Sequence, residues 1–312
     1  MRCDTAWITW ERQPRNISMA RSVESDYFEI IEKRNFFLRY LFSIKKTHTI
    51  LKNRYDLVFV QNPSIVLSFL AVIFKNIYDY KLVIDAHNAG VYPKEGSNKL
   101  LMCINNFILR HCDVVIVTNS IIKKHLDSIS VKSVVISDPL PEYDNKWKET
   151  KRIDNKVFVI CSWSDDEPIS LYFDVAKELP GYQFYFSGNY KKMKIEKEKL
   201  TDNIILLGFV TEEEYLYHLF SCKVTVDLTE RSDCLVCGAY ESISAETPFI
   251  LTDSKVNRET FKEIGIYSKL NSKSLLDSIL NIETSDEESL KRFKEIYMVD
   301  LSEKISRLLN YL

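Results

Sequence analysis

Two carboxylates, Asp233 and Glu241, stand eight positions apart in the stretch Thr229-Glu-Arg-Ser-Asp-Cys-Leu-Val-Cys-Gly-Ala-Tyr-Glu-Ser-Ile-Ser-Ala-Glu-Thr-Pro-Phe-Ile-Leu-Thr-Asp253. An apolar strand pattern over 223–228 runs into this polar loop. A helix is expected to open between Leu235 and Gly238, and a second strand pattern follows over 248–251. A carboxylate in a loop at the carboxyl end of a parallel strand points into the crevice where open α/β sheets bind ligands. A second carboxylate about one turn into the following helix can face the same crevice. Two acceptors set this way can grip vicinal hydroxyls, so the segment predicts a sugar or ribose site. Read structurally instead, Glu241 is a helix residue in a salt bridge, and Asp233 is a helix N-terminal acid favoured by the macrodipole.

The elements that must position these residues repeat from end to end. Strand patterns fall at 6–10, 27–31, 57–61, 82–85, 114–118 and 134–137, then at 157–163, 183–187, 204–209, 224–228, 248–251 and 265–269, with helical patterns between them. This alternation is the signature of parallel sheets covered by helices on both faces. Most of the strands are unbroken runs of Val, Ile, Leu and Phe, as doubly covered strands are. The rhythm breaks once, at the polar, proline-bearing segment 138–154. It reads as a linker between two similar halves that leave a cleft between them. The residues 285–312 carry apolar positions at helical spacing.

With 312 residues and 46% hydrophobic content, the chain is long enough for two domains with sizeable cores. A net charge of −2 gives no general attraction to nucleic acid. The longest apolar run, 65–74, is too short to cross a bilayer, which takes about 20 residues. It reads as a helix buried against a sheet. The amino end does not read as a targeting sequence. Seven scattered cysteines suit reduced thiols in a cytoplasmic setting. The lone pair Cys234 and Cys237 lacks the second pair of a structural zinc site, and reads as small buried side chains at a helix start. No Gly-x-Gly-x-x-Gly follows a strand, no P-loop occurs and no Gly-x-Ser-x-Gly elbow is present. Nicotinamide enzymes, P-loop NTPases and serine hydrolases are therefore disfavoured, and neither a cofactor nor a metal is expected.

The segment from Asp233 to Ile250 resembles family 4 glycosyltransferases of the GT-B fold, in the branch of bacterial surface-polysaccharide biosynthesis. That family carries an acid, seven intervening residues and a glutamate, then a helix of small residues and a Thr-Pro-hydrophobic strand. Here Glu241-Ser-Ile-Ser-Ala-Glu-Thr-Pro-Phe-Ile250 takes that place, Gly238-Ala-Tyr-Glu241 opens it, and Asp233 stands where the family usually has Glu. The resemblance implies an α/β GT-B architecture of two Rossmann-like doubly wound domains facing a central cleft. On this reading, 1–140 is an acceptor-binding domain and 141–155 a linker. The nucleotide-sugar-binding domain is 156–290, and 291–312 is a C-terminal helical segment. Glu241 would bind the ribose hydroxyls and Asp233 the donor sugar. The backbone N–H groups opening the helix at 234–238 would hold the phosphate, with Gly238 permitting close approach. Ser162 and Asn189, in the loops after the first two strands of the second half, would join the same donor site.

Two further positions follow from the resemblance. His87, in Asp85-Ala-His-Asn-Ala-Gly90 at the end of a strand, matches a family histidine near the donor sugar and acceptor. It can donate to a sugar hydroxyl or to a developing oxyanion; a satisfied loop histidine is the structural reading. The loop 162–168 lacks the Arg and Lys that the family often places there. Arg231, whose guanidinium matches phosphate geometry, is the first substitute cation and Lys191 or Lys192 the next; a solvated surface arginine is the alternative. Near the amino end, Trp10-Glu-Arg-Gln-Pro-Arg15 replaces the usual glycine-rich loop and would face the acceptor.

Residues 33–54 hold seven Lys or Arg and no acid, interleaved with Phe36, Phe37, Tyr40 and Phe42. Such a helix either lies on an anionic membrane surface or presents a solvated basic face over an ordinary core. The expected function is transfer of a sugar from a nucleotide sugar to a glycan or lipid-linked glycan. The resemblance implies retention of configuration without a metal, in the cytoplasm or peripherally on the inner membrane face. A nucleotide-sugar epimerase of the same fold and an inactive transferase-like scaffold subunit are the alternatives.

Overall fold

A computed structural model describes residues 4–62, 64–193, 195, 200–231, 233–282 and 287–312. The chain forms two compact units, Met1–Pro139 with Val299–Leu312, and Leu140–Met298.

The first unit runs β1 (Thr5–Thr9), α1 (Pro14–Ser22), β2 (Asp26–Glu29), α2 (Phe36–Leu51), β3 (Leu57–Asn62), α3 (Ile65–Tyr78) and β4 (Lys81–Ala86). A single helical turn α4 (Asn88–Val91) follows, then α5 (Lys99–His111), β5 (Val114–Val117), α6 (Ser120–Ser128) and β6 (Ser133–Val135). Its six strands pair in parallel in the order β2-β1-β3-β4-β5-β6. Helices on both faces leave β1, β3 and β5 buried along their whole length. Ile8, Val58, Val60, Leu82, Ile84 and Val115 form the centre of that core. Asparagines start three of the helices, α2, α5 and α6: Asn119, in extended backbone, accepts the N–H groups of Ile121 and Ile122 at 3.0 Å, satisfying two of the donors a helix leaves open.

The second unit runs β7 (Ile153–Val159), α7 (Ile169–Glu178), β8 (Gln183–Ser187), β9 (Ile204–Gly208), α8 (Glu212–Ser221), β10 (Cys222–Asp227), α9 (Cys237–Ser244), β11 (Phe249–Thr252), α10 (Lys255–Phe261), β12 (Ile266–Ser268) and α11 (Ser272–Leu280). The long α12 (Glu287–Tyr311) follows. The sheet order is β12-β11-β10-β7-β8-β9, parallel throughout. From β7 the chain steps one way to β8 and β9. It then crosses back over β7 to β10 and continues the other way to β11 and β12. The crevice between the carboxyl ends of β7 and β10 is therefore the topological switch point, where sheets of this kind hold ligands.

The strands sit where the alternating pattern places them, with differences at their ends. β7 starts at Ile153 and stops at Val159, short of Trp163. There Trp163 takes φ +62°, and the Cys161 N–H goes to the Ser187 hydroxyl at 3.0 Å instead of to the sheet. The segment 141–155 carries structure of its own: a turn of 3-10 helix at Asn145–Glu149, with Tyr143 edge-on to Phe220 and Trp147 stacked on it. The helix α3 is buried along one side only. Leu67, Ala71 and Val72 face the core, whereas Phe69, Ile73 and Ile77 are exposed. Among the described residues no helix is long and apolar enough to cross a membrane.

Candidate functional site

The loops after β7, β8, β9 and β10 enclose a cavity of ≈ 780 Å³ at the switch point of the second unit. Each loop is fixed by local chemistry. After β7, the Glu167 carboxylate accepts the backbone N–H groups of Ser162 (2.9 and 3.1 Å) and Trp163 (2.8 Å) and the Ser162 hydroxyl (2.8 Å). Successive N–H groups aimed at one point form an anion-binding nest, and here the protein's own carboxylate fills it. The loop after β8 lies against the loop after β7 so closely that a Cβ at Gly188 would stand 2.2 Å from the Cys161 carbonyl oxygen. With φ at +79° as well, only glycine fits there. The Trp163 indole locks the pair by donating to the Ser187 carbonyl at 2.7 Å.

The floor of the cavity is made by β10 and α9. Asp227, the last residue of β10, accepts the Gly238 N–H at 3.0 Å. Burial pushes the Asp227 carboxyl well above the usual range; the Gly238 N–H opposes this, and Glu167, Glu241 and Asp166 add to the rise. Glu241, one turn into α9, lines the same floor, and Tyr215 of α8 donates its hydroxyl to Glu241 Oε2. Burial raises the Glu241 carboxyl too, against the lowering effect of that bond. Two carboxyls of this floor, Asp227 and Glu241, thus have their charged forms disfavoured by burial.

Ser162, Asn189, Gly238 and Glu241, expected as donor-site residues, are brought together around this cavity. Asp233 and Arg231 are not among its described lining. Arg231 is half exposed and pairs with Asp166 at 3.5 Å, while Lys192 lines the wall and donates to the Ser162 carbonyl oxygen at 2.6 Å. The helix expected to open at 234–238 starts at Cys237, because Val236 is extended (φ −97°, ψ 145°). Of its first N–H groups, that of Gly238 is already engaged by Asp227. Cys234 and Cys237 are not the buried pair expected: Cys234 is half-buried, Cys237 is exposed, and both edge the cavity. Sequence reasoning did not find Asp227, Glu167 or Tyr215. The position of Asp227 at a strand's carboxyl end was a usable signal; Tyr215 reaches the site from a helix 26 residues upstream of Glu241, which no local pattern shows.

Five carboxylates (Asp166, Glu167, Glu212, Asp227 and Glu241) and one lysine line the cavity among the described residues. No group of three His, Cys, Asp or Glu side chains among those residues is arranged to hold a metal ion.

His87 belongs to the first unit. It precedes α4, where its carbonyl accepts the N–H groups of Gly90 and Val91 at 2.8 and 3.0 Å. Its Nε2 lies 3.7 Å from Asp85 Oδ2 and has no hydrogen-bond partner among the described residues. Arg15, expected in the loop that replaces the glycine-rich turn, lies in the first turn of α1, is buried, and grips Asp85 through two bonds of 3.0 and 2.9 Å and Asp138 at 2.6 Å. Burial acts to raise the Asp85 carboxyl, but Arg15 and His87 outweigh it and hold it below the ordinary value. Arg15 is thus a structural clamp rather than a surface residue of the loop.

No protein-family model matches the sequence. No functionally curated protein matches it either. Solved structures do match. HepE from Anabaena, crystallised with UDP and glucose, superposes with a TM-score of 0.75 at 11% identity, over 99% of this chain and 100% of that one. A glycosyltransferase from Rickettsia africae gives 0.69 at 11% identity, over 100% and 98%. A protein from Listeria monocytogenes described as a candidate UDP-N-acetylglucosamine 2-epimerase gives 0.60 at 12%, over 98% and 94%. The fold is GT-B, two doubly wound α/β domains, as the resemblance implied. At these identities the likeness speaks for the fold and leaves the activity to the site.

Proposed function

We propose that this chain is a glycosyltransferase that binds a nucleotide sugar in the cavity of its second unit. The observation that carries the reading is Glu241, recessed at the switch-point floor and oriented by Tyr215, in a fold whose HepE neighbour was crystallised with UDP and with UDP-glucose. In this reading Glu241 holds the ribose hydroxyls, and Gly238 lets the diphosphate approach the start of α9. Lys192 and Arg231 supply positive charge, Ser162 and Asn189 line the donor, and Asp233 contacts the sugar. His87 donates a hydrogen bond to a sugar hydroxyl; its buried Nε2 without a hydrogen-bond partner supports that role.

The reaction we assign is a retaining transfer without a metal or cofactor, on the resemblance of Asp233 and Glu241 to the family motif. The anomeric carbon–phosphate oxygen bond breaks, the acceptor oxygen bonds to that carbon on the same face, and the acceptor proton passes to the leaving phosphate. The protein then supplies positioning and charge stabilisation. The acceptor is a glycan or lipid-linked glycan of polysaccharide biosynthesis, met at the cytoplasmic membrane face, where the basic segment 33–54 supports a peripheral location.

Two observations keep other readings in view. The Listeria neighbour favours an epimerase of the same fold. Glu167, seated in the nest that would otherwise receive phosphate, favours a scaffold that binds no donor. Calorimetry with UDP, GDP and their sugars separates these. The expected result is binding of one diphosphate, weakened about tenfold or more in Glu241→Gln, the loss of a hydrogen bond to a charged or polar partner being about 1.4 kcal/mol or more. Transfer to an added acceptor with no change of the free donor's configuration separates transferase from epimerase. If no nucleotide diphosphate binds, both enzyme readings fail.

A further inference from the structure

The first unit carries an acid-free apolar surface that the donor site does not use. The steps β2 to β3, β3 to β4 and β4 to β5 all cross the sheet in one direction. Right-handed crossovers therefore put α2, α3 and α5 on a single face, and α2 packs on α3 and α3 on α5. Each helix buries one side and leaves apolar residues at helical spacing on the other. These include Phe37 and Leu41 on α2, Ile73 and Ile77 on α3, and Leu100 and Phe107 on α5. Half of the large apolar side chains exposed among the described residues, ten of twenty, lie on these three helices. Exposed apolar residues scattered singly are ordinary; this concentration on adjacent helices marks an interaction face.

Charge identifies what covers it. The three helices together hold six Lys or Arg and no Asp or Glu, in a chain with 44 acids in 312 residues. Of the acids that flank the face, Glu32 pairs with Lys46 and Arg34 and Asp113 with Lys75 and Lys81, whereas Asp79, which caps α3, is exposed. Arg39, Lys45 and Lys99 remain exposed. A second copy meeting this face isologously would set the exposed charges of Arg39, Lys45 and Lys99 against their own copies. An anionic lipid surface satisfies both the apolar stripes and the charge. We infer that α2, α3 and α5 form one face that docks on an anionic bilayer, with the apolar stripes entering the headgroup region and the basic side chains contacting lipid phosphates. This extends the contact from the segment 33–54 to three helices. It deepens the membrane part of the reading above, but it rests on residues of the first unit alone.

The test is flotation of the full chain with vesicles of phosphatidylcholine, alone or with about 30% phosphatidylglycerol. The expected result is at least about tenfold stronger binding to the anionic vesicles, weakened by salt. One substitution per helix, Phe37→Ser, Ile77→Ser and Leu100→Ser, is expected to weaken it several-fold each. These side chains are 85%, 62% and 70% exposed, so the fold should survive. Arg39→Gln with Lys45→Gln gives a second, charge-only variant, expected to lose about fivefold per charge. Equal binding to neutral and anionic vesicles overturns the inference. So does binding that only the α2 variants weaken, or a dimer in sedimentation that these same substitutions abolish. A chain that binds vesicles but no nucleotide sinks the transferase reading alone; one that binds nucleotide but no vesicles sinks this inference alone.

Discussion

At the scale of single residues, the cavity of the second unit turns on carboxyl groups held away from water. Asp227 is the clearest case. Its folded-state carboxyl lies well above the ordinary value because of burial, so the folded protein keeps a proton that the unfolded chain releases near pH 4. The stability this supplies is complete below the unfolded value and is lost as pH rises through the folded one. Denaturant unfolding followed from about pH 4 to about pH 8 should therefore show stability falling with pH. Asp227→Asn keeps an acceptor for the Gly238 N–H and removes the titration. It should flatten that fall and be the more stable protein at the alkaline end. A variant with the wild-type slope would show that Asp227 is ionised in the folded state. The sequence pointed to Glu241 because a motif surrounds it. Asp227 and Glu167 stayed hidden because their importance comes from enclosure and from backbone N–H groups folded around them, and neither is visible in residue order.

At the scale of elements, the parallel strands were legible because a doubly covered strand must be apolar throughout. Val114–Val117, and β3 from Leu57 to Val60, show that rule in its plainest form. Element ends were less legible, since they are set by single contacts across the sheet. The start of α9 is the instructive example: the sequence brackets it between Leu235 and Gly238, and within that range the extended Val236 and the Asp227–Gly238 bond go with an entry at Cys237. The same bond gives a sharp expectation. A Cβ at Gly238 would stand 2.5 Å from Asp227 Oδ2 and 3.0 Å from Ile160 Cδ1, so Gly238→Ala must push α9 away from β10. Overpacking of this kind costs about 1–3 kcal/mol, and it also displaces Glu241 from the cavity floor. Unfolding midpoint and nucleotide affinity should fall together in this variant. Tyr215→Phe, which leaves the backbone alone and removes only the bond to Glu241, should lower affinity with a much smaller loss of stability. If Gly238→Ala bound nucleotide as tightly as wild type, α9 would not be the element that carries the site.

At the scale of the whole molecule, the two units have separate hydrophobic cores, and the reading proposed above gives each its own role. The core around Val58, Ile84 and Val115 belongs to the unit that carries the exposed stripes of α2, α3 and α5. The core around Val159, Phe186 and Val226 belongs to the sheet whose loops line the cavity. The two-unit arrangement was legible, and the motif 233–250 and the basic run 33–54 fall in different units. The exposed stripes of α3 and α5 did not stand out, because an apolar run such as 65–74 reads equally as core until the sheet shows which side it turns outward. Hydrogen exchange can assign the two roles in one experiment, since amide exchange slows where a ligand suppresses local opening. UDP should slow the segments 187–189, 227–229 and 234–236, which line the cavity. Anionic vesicles should slow 36–51, 65–78 and 99–111 and leave the cavity loops unchanged. Slowing of the cavity loops by vesicles, or of α2, α3 and α5 by UDP, would mean that neither ligand is confined to the unit whose chemistry suits it, and the assignment of one binding role to each core would have to be given up.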